Sequence, residues 1–114
     1  QRVGGAMGWL VRDNEVLASL EVADRSVARA RGLLGRDEVD GALLLRRTRS
    51  VHTVGMRFAI DVAFLDDELR VLRTMHLVPN RFSPVVWRAR HVLEAGSGSF
   101  REWDLVVGQQ LEVR

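Results

Sequence analysis

The chain has 114 residues, of which 46% are hydrophobic and 28% charged, with a formal net charge of +2. This length holds one domain with a real core and excludes a two-domain enzyme with a separate cofactor-binding half. The composition argues against wholesale disorder, and no run approaches the ~18 apolar residues of a membrane-spanning helix.

All seventeen basic residues are Arg, and Lys, Tyr and Cys are absent. The isoelectric point of about 10.8 therefore reflects missing buffering groups between His and Arg, not a strong positive field. Disulfide and thiolate chemistry are excluded.

Gln1 to Ala6 share no pattern with the rest of the chain and read as an expression scar or loose leader. That leaves residues 7–114 as a single β-rich domain. Trp9 to Val11 and Val16 to Val22 are β-leaning runs joined by Asp13-Asn14, a turn-forming pair. Val16, Ala18, Leu20 and Val22 alternate onto one face of the second run. The best helix comes next at Ser26 to Leu34, with Asp24 or Ser26 as its cap, Val27, Ala30 and Leu34 as its stripe, and Gly35 at its end. Nine residues are marginal alone, so this helix must dock on a sheet.

Ala42-Leu43-Leu44-Leu45 reads as a short, fully buried strand. Phe58 to Leu65 alternates, Asp66-Asp67-Glu68 turns the chain, and Val71 to Val78 returns as its hairpin partner. Pro79 and Pro84 bracket a loop where strand pairing stops. His91 to Ala95 is another strand, ended by Gly96-Ser97-Gly98, and a helical turn can start at Ser99. Leu105 to Val107 and Gln110 to Val113 form a last strand pair around Gly108-Gln109. The sum is a mainly β (α+β) domain: a compact antiparallel β-sandwich or barrel-like fold, with one short helix near residues 26–34 packed on it.

Standard catalytic motifs are missing. Gly32-Leu33-Leu34-Gly35-Arg36 lacks the phosphate-loop pattern, and no nucleophile elbow or His-Glu-x-x-His helix occurs. His52, His76 and His91 stand far apart in sequence, and nothing in their spacing demands a metal. Asp61 is the most informative residue, because Ala59 and Ala63 flank it on one strand face. A carboxylate there is partly desolvated and must be paired; Arg31 is the suitable partner, with His52 or Arg57 as substitutes. Glu94, between Leu93 and Ala95, raises the same question. Arg46-Arg47-Thr48-Arg49 and Trp87-Arg88-Ala89-Arg90 interleave Arg with aromatic residues as single-strand binders do. The small net charge and acidic residues recurring along the chain argue against nucleic acid.

Several motifs occur in a telling order: Arg31-Gly32-Leu33-Leu34-Gly35-Arg36, Gly41-Ala42-Leu43-Leu44, Ile60-Asp61-Val62-Ala63-Phe64-Leu65-Asp66, and Val92-Leu93-Glu94. Together they resemble the domain-of-unknown-function 192 family over about Val16 to Val113. The resemblance implies a compact β-rich sandwich with one packed helix and supplies no activity. The chain departs from the family pattern at Val51-His52-Thr53-Val54-Gly55-Met56, where Phe-Trp-Met-Lys-Asn-Thr is usual, and at Ala59, where Pro is usual.

These observations favour a non-enzymatic binding or accessory module with a small polar pocket of Arg31, His52, Asp61 and Glu94. In that pocket Arg31 clamps an anionic or polar group, Asp61 orients Arg31, and His52 adds a hydrogen bond. A small hydrolase-like or metal-assisted enzyme using His52, Asp61 and Glu94 is the alternative, and a weak nucleic-acid binder through Arg the second. No catalytic residue, metal or cofactor is assigned. The expected partner is a small polar ligand or a protein, the expected state a cytoplasmic monomer without membrane attachment.

Overall fold

The computed structural model describes residues 6–24 and 41–114. The expected helix at 26–34, and Arg31 on it, lie outside these residues. Among the described residues seven strands form one mixed sheet: β1 (Ala6–Arg12), β2 (Glu15–Asp24), β3 (Ala42–Arg46), β4 (Ile60–Leu65), β5 (Val71–Leu77), β6 (His91–Gly96) and β7 (Glu112–Val113). Their spatial order is β5-β4-β6-β3-β2-β1-β7. A short helix, α1 (Ser99–Glu102), follows β6.

The β1–β2 hairpin turns at Asp13 and Asn14, whose φ values of 51° and 67° supply the left-handed pair that a two-residue hairpin needs. β1 already includes Ala6, paired with Val22. β4 and β5 form the second hairpin. Asp66 Oδ1 closes it by accepting the amides of Glu68 and Arg70, both at 2.9 Å.

Two expectations change. β2 and β3 run parallel, so the sheet is mixed instead of antiparallel. Parallel neighbours need a long crossover, and residues 25–40 supply its length. Nor do Leu105 to Val107 form a strand; the C-terminal segment pairs elsewhere. Its end joins β1 through Leu10 and Val11. Its start joins the opposite edge, where Val71 donates to the Gln109 carbonyl (2.8 Å) and Leu111 to the Leu69 carbonyl (2.9 Å). The sheet is not closed, but this segment laces its two edges together.

Because strand side chains alternate, the sheet has two apolar faces. The first carries Leu20, Leu44, Ala63, Leu65, Leu93 and Ala95, with Phe100 and Leu111 packed among them. The second carries Leu43, Leu45, Ile60, Val62, Phe64 and Val92, covered by Val51, Met56 and Ala89 from two long loops. β4 is buried along its whole length because it has core on both sides.

Gly41 opens β3 with φ +75°, and a Cβ there would collide with Ser19 Oγ and meet the Ser19 carbonyl oxygen at 2.8 Å. Only Gly fits that approach.

Candidate ligand-binding groove

One end of the first face opens into a groove of about 770 Å³ where β3 ends, β6 begins and the β4–β5 turn passes. Its apolar lining is buried Leu44 and half-buried Val22 and Leu69, with exposed Val113 at the edge. Its rim is Arg46, Arg47, Arg49 and Arg90, with His91 and Asp67. The volume falls within the ~300–1,000 Å³ range of small-molecule sites.

The rim is set by the backbone. Arg47 takes a left-handed conformation, φ 56°. Beside it Thr48 is buried; its hydroxyl donates to the Arg46 carbonyl at 3.0 Å and its amide to the Arg90 carbonyl at 3.0 Å. Arg90 in turn donates its amide to the Leu65 carbonyl (2.8 Å). Two arginine-rich segments distant in sequence are thereby clamped side by side.

His91 stands between them. The Arg47 amide donates to its Nδ1 at 3.3 Å, so Nε2 carries the proton and faces Asp67 Oδ1 at 3.8 Å. Burial lowers the His91 pKa, and Arg46 and Arg90 lower it further against the opposing pull of Asp67. At neutral pH the ring is therefore a neutral hydrogen-bonding group among permanent cations.

Of the pocket residues expected from sequence, Asp61 and Glu94 do not share one site. Asp61 pairs with Ala95 and Glu94 with Val62, so their side chains leave opposite faces of the sheet. On the first face, Asp61 Oδ1 accepts from His76 Nδ1 at 3.2 Å, and Oδ2 accepts the amides of Gly98 at 3.0 Å and Phe100 at 3.1 Å. These contacts make Asp61 an anchor for α1. On the second face, Glu94 is 5% exposed, and burial raises its pKa to about 7. His52 lies in the loop over that same face, its Nδ1 accepting the Val54 amide at 3.2 Å and its ring 5.6 Å from that of Phe82. Arg31 is outside the described residues.

The groove residues left only a partial trace in the sequence. The Arg46–Arg49 and Arg88–Arg90 runs are visible there; their convergence on His91 and Asp67 depends on the β3–β6 pairing that sets Arg46 opposite His91. Among the described residues no three of His, Asp and Glu are grouped to hold a metal ion, and no helix is long and apolar enough to cross a membrane.

Fold and groove together define a small, mostly β domain built on one open mixed sheet, with an arginine-lined groove at one end. The chain belongs to the DUF192 family, described as "Uncharacterized ACR", whose model matches residues 9–113. No curated protein matches it by sequence. Two solved structures share the fold. A protein of unknown function from Novosphingobium aromaticivorans DSM 12444 is 18% identical, with TM-score 0.75 over 95% of this chain and 84% of that one. A protein from Sinorhizobium meliloti 1021, provisionally described as a transcription regulator, is 22% identical, with TM-score 0.74 over 99% of this chain and 98% of that one.

Proposed function

We propose that this protein is a non-enzymatic binding module whose groove takes a small anionic ligand with an apolar portion. What supports it is the mixed lining: apolar Val22, Leu44 and Leu69 beside four arginines, Arg46, Arg47, Arg49 and Arg90. Guanidinium pairs hold phosphate or carboxylate bidentately, and an apolar lining favours a ligand with a ring or chain attached to its charge. His91, neutral and fixed in one tautomer, adds a directional donor that distinguishes ligands by their acceptor position. Asp67 on the same rim disfavours ligands with negative charge at every point and admits one bearing a donor.

The test is titration of the protein with adenosine monophosphate and with inorganic phosphate, followed by amide chemical shifts. The expected result is saturable movement at residues 46–49 and 90–91, tighter for the nucleotide than for phosphate, and weakened about tenfold or more by Arg46→Ala, the loss of one charged hydrogen bond. Shifts confined to other surfaces, or no saturation at millimolar ligand, would remove the groove as a binding site.

A further inference from the structure

The two loops that cover the second face carry a charge distribution unlike the rest of the chain. Residues 47–59 and 78–90 hold six of the seventeen arginines and none of the fifteen acidic residues. A net charge of +2 therefore conceals a separation, with a basic pair of loops set against a remainder that is net negative. Acidic residues do recur along the chain, but not here.

Tertiary structure joins the two loops into one plate. Thr53 donates its amide to the Arg81 carbonyl (2.8 Å), Ser83 to Val51 (2.9 Å) and Val86 to Arg49 (2.8 Å), while His52 and Phe82 form a β-bridge. Buried Thr53 pins the centre: its hydroxyl donates to the Val78 carbonyl at 2.6 Å and accepts the Arg81 amide at 2.9 Å. Two aromatic rings stand out from the plate, Phe82 at 74% exposure and Trp87 at 77%. Neither ring lines the groove. The Phe82 ring lies 5.6 Å from the His52 ring, and the Trp87 carbonyl accepts from Arg49 Nε at 3.1 Å.

We infer that this plate is an interaction surface for single-stranded nucleic acid, with phosphates on Arg49, Arg81, Arg88 and Arg90 and bases stacked on Phe82 and Trp87. Permanent cations alone would suit any polyanion, and exposed rings alone any apolar partner. Single-stranded nucleic acid uses both, because its bases offer flat faces at short intervals along a charged backbone. An acidic peptide would satisfy the arginines and leave the rings in water. The surface shares Arg49 and Arg90 with the groove rim but does not require that a small ligand bind there.

The test is fluorescence anisotropy of a labelled twelve-nucleotide oligothymidylate with the full chain at 25 and 200 mM salt. The expected result is binding at low salt that weakens roughly fiftyfold or more at high salt, as release of counterions from three or more phosphates requires. Trp87→Ala and Phe82→Ala are each expected to weaken it roughly fivefold or more, the worth of one base stack, with Trp87→Phe retaining most of the affinity. Adenosine monophosphate binding in the groove is expected to be unchanged in both alanine variants, which separates this surface from the groove. Arg46→Ala tests the groove in the opposite sense. Salt-independent binding, or oligothymidylate bound no better than a polyglutamate of equal length and indifferent to both rings, would overturn the proposal.

Discussion

The Asp61 carboxylate caps the backbone of Phe100, 39 positions further along the chain, and through it the whole of α1. Gly98, the N-cap residue, has no side chain with which to satisfy the first amides, so a strand residue does it from across the fold. Asp61→Ala strands the buried Phe100 amide together with that of Gly98 and frees His76. A loss of about 2–4 kcal/mol is expected in urea unfolding, from buried donors left without acceptors. Asp61→Asn keeps an oxygen for the two amides and is expected to cost about 1 kcal/mol. Equal losses for the two variants would contradict the capping role.

Glu94 gives the protein a pH-dependent stability of unusual sign for a carboxylate. Its folded pKa, near 7, stands above the ordinary 4.5 because burial penalises the charged form, and its strand partners Leu43 and Val62 are apolar. The folded state therefore holds the proton more tightly than the unfolded state. This group's stabilisation is complete below pH 4.5 and lost as pH rises through about 7, by an amount on the order of 3 kcal/mol. Urea unfolding at pH 5 and pH 8 is expected to show this fall in the native protein and a flatter profile in Glu94→Gln. A native profile that rises over the same interval would exclude a buried neutral acid.

His91 behaves in the opposite sense. Burial, with Arg46 and Arg90 nearby, depresses its pKa below 6.5. Its contribution to stability is present above pH 6.5 and lost as pH falls through the lowered value. Imidazole NMR is expected to place its midpoint below that of a free histidine and lower still in Asp67→Asn, which removes the one opposing carboxylate on the groove rim. An anion bound in the groove is expected to move it upward. A midpoint at or above 6.5 in the ligand-free protein would remove the neutral donor from the proposed site.

Gly41→Ala is expected to destabilise by about 1–3 kcal/mol, since the new Cβ would sit at positive φ against Ser19. Arg46→Ala, on the exposed rim, is expected to change stability by less than ~0.5 kcal/mol. Thermal or urea unfolding of the pair checks both. A loss in Gly41→Ala as small as that in Arg46→Ala, below ~0.5 kcal/mol, would mean that the β3 entry tolerates a side chain after all.

Sequence alone determined the elements whose signals are local. Asp13-Asn14 made one hairpin legible, Asp66 to Glu68 the other, the apolar run Ala42–Leu45 the buried strand, and Ser99 the start of a helical turn. The demand that Asp61 be paired was legible too, because small apolar neighbours cannot solvate a carboxylate. Its observed partners were not, since backbone amides at Gly98 and Phe100 carry no sequence signature. Tertiary structure decided which side chains meet. With a side-chain period of two, the β4–β6 pairing sends Asp61 and Glu94 to opposite faces and divides a pocket that sequence placed together. The β3–β6 pairing does the reverse, setting Arg46 opposite His91 and gathering two separate arginine runs into one rim. Strand register is a long-range choice made by the burial of whole faces, so a local reading recognises the strands but not the residues that come to share a site.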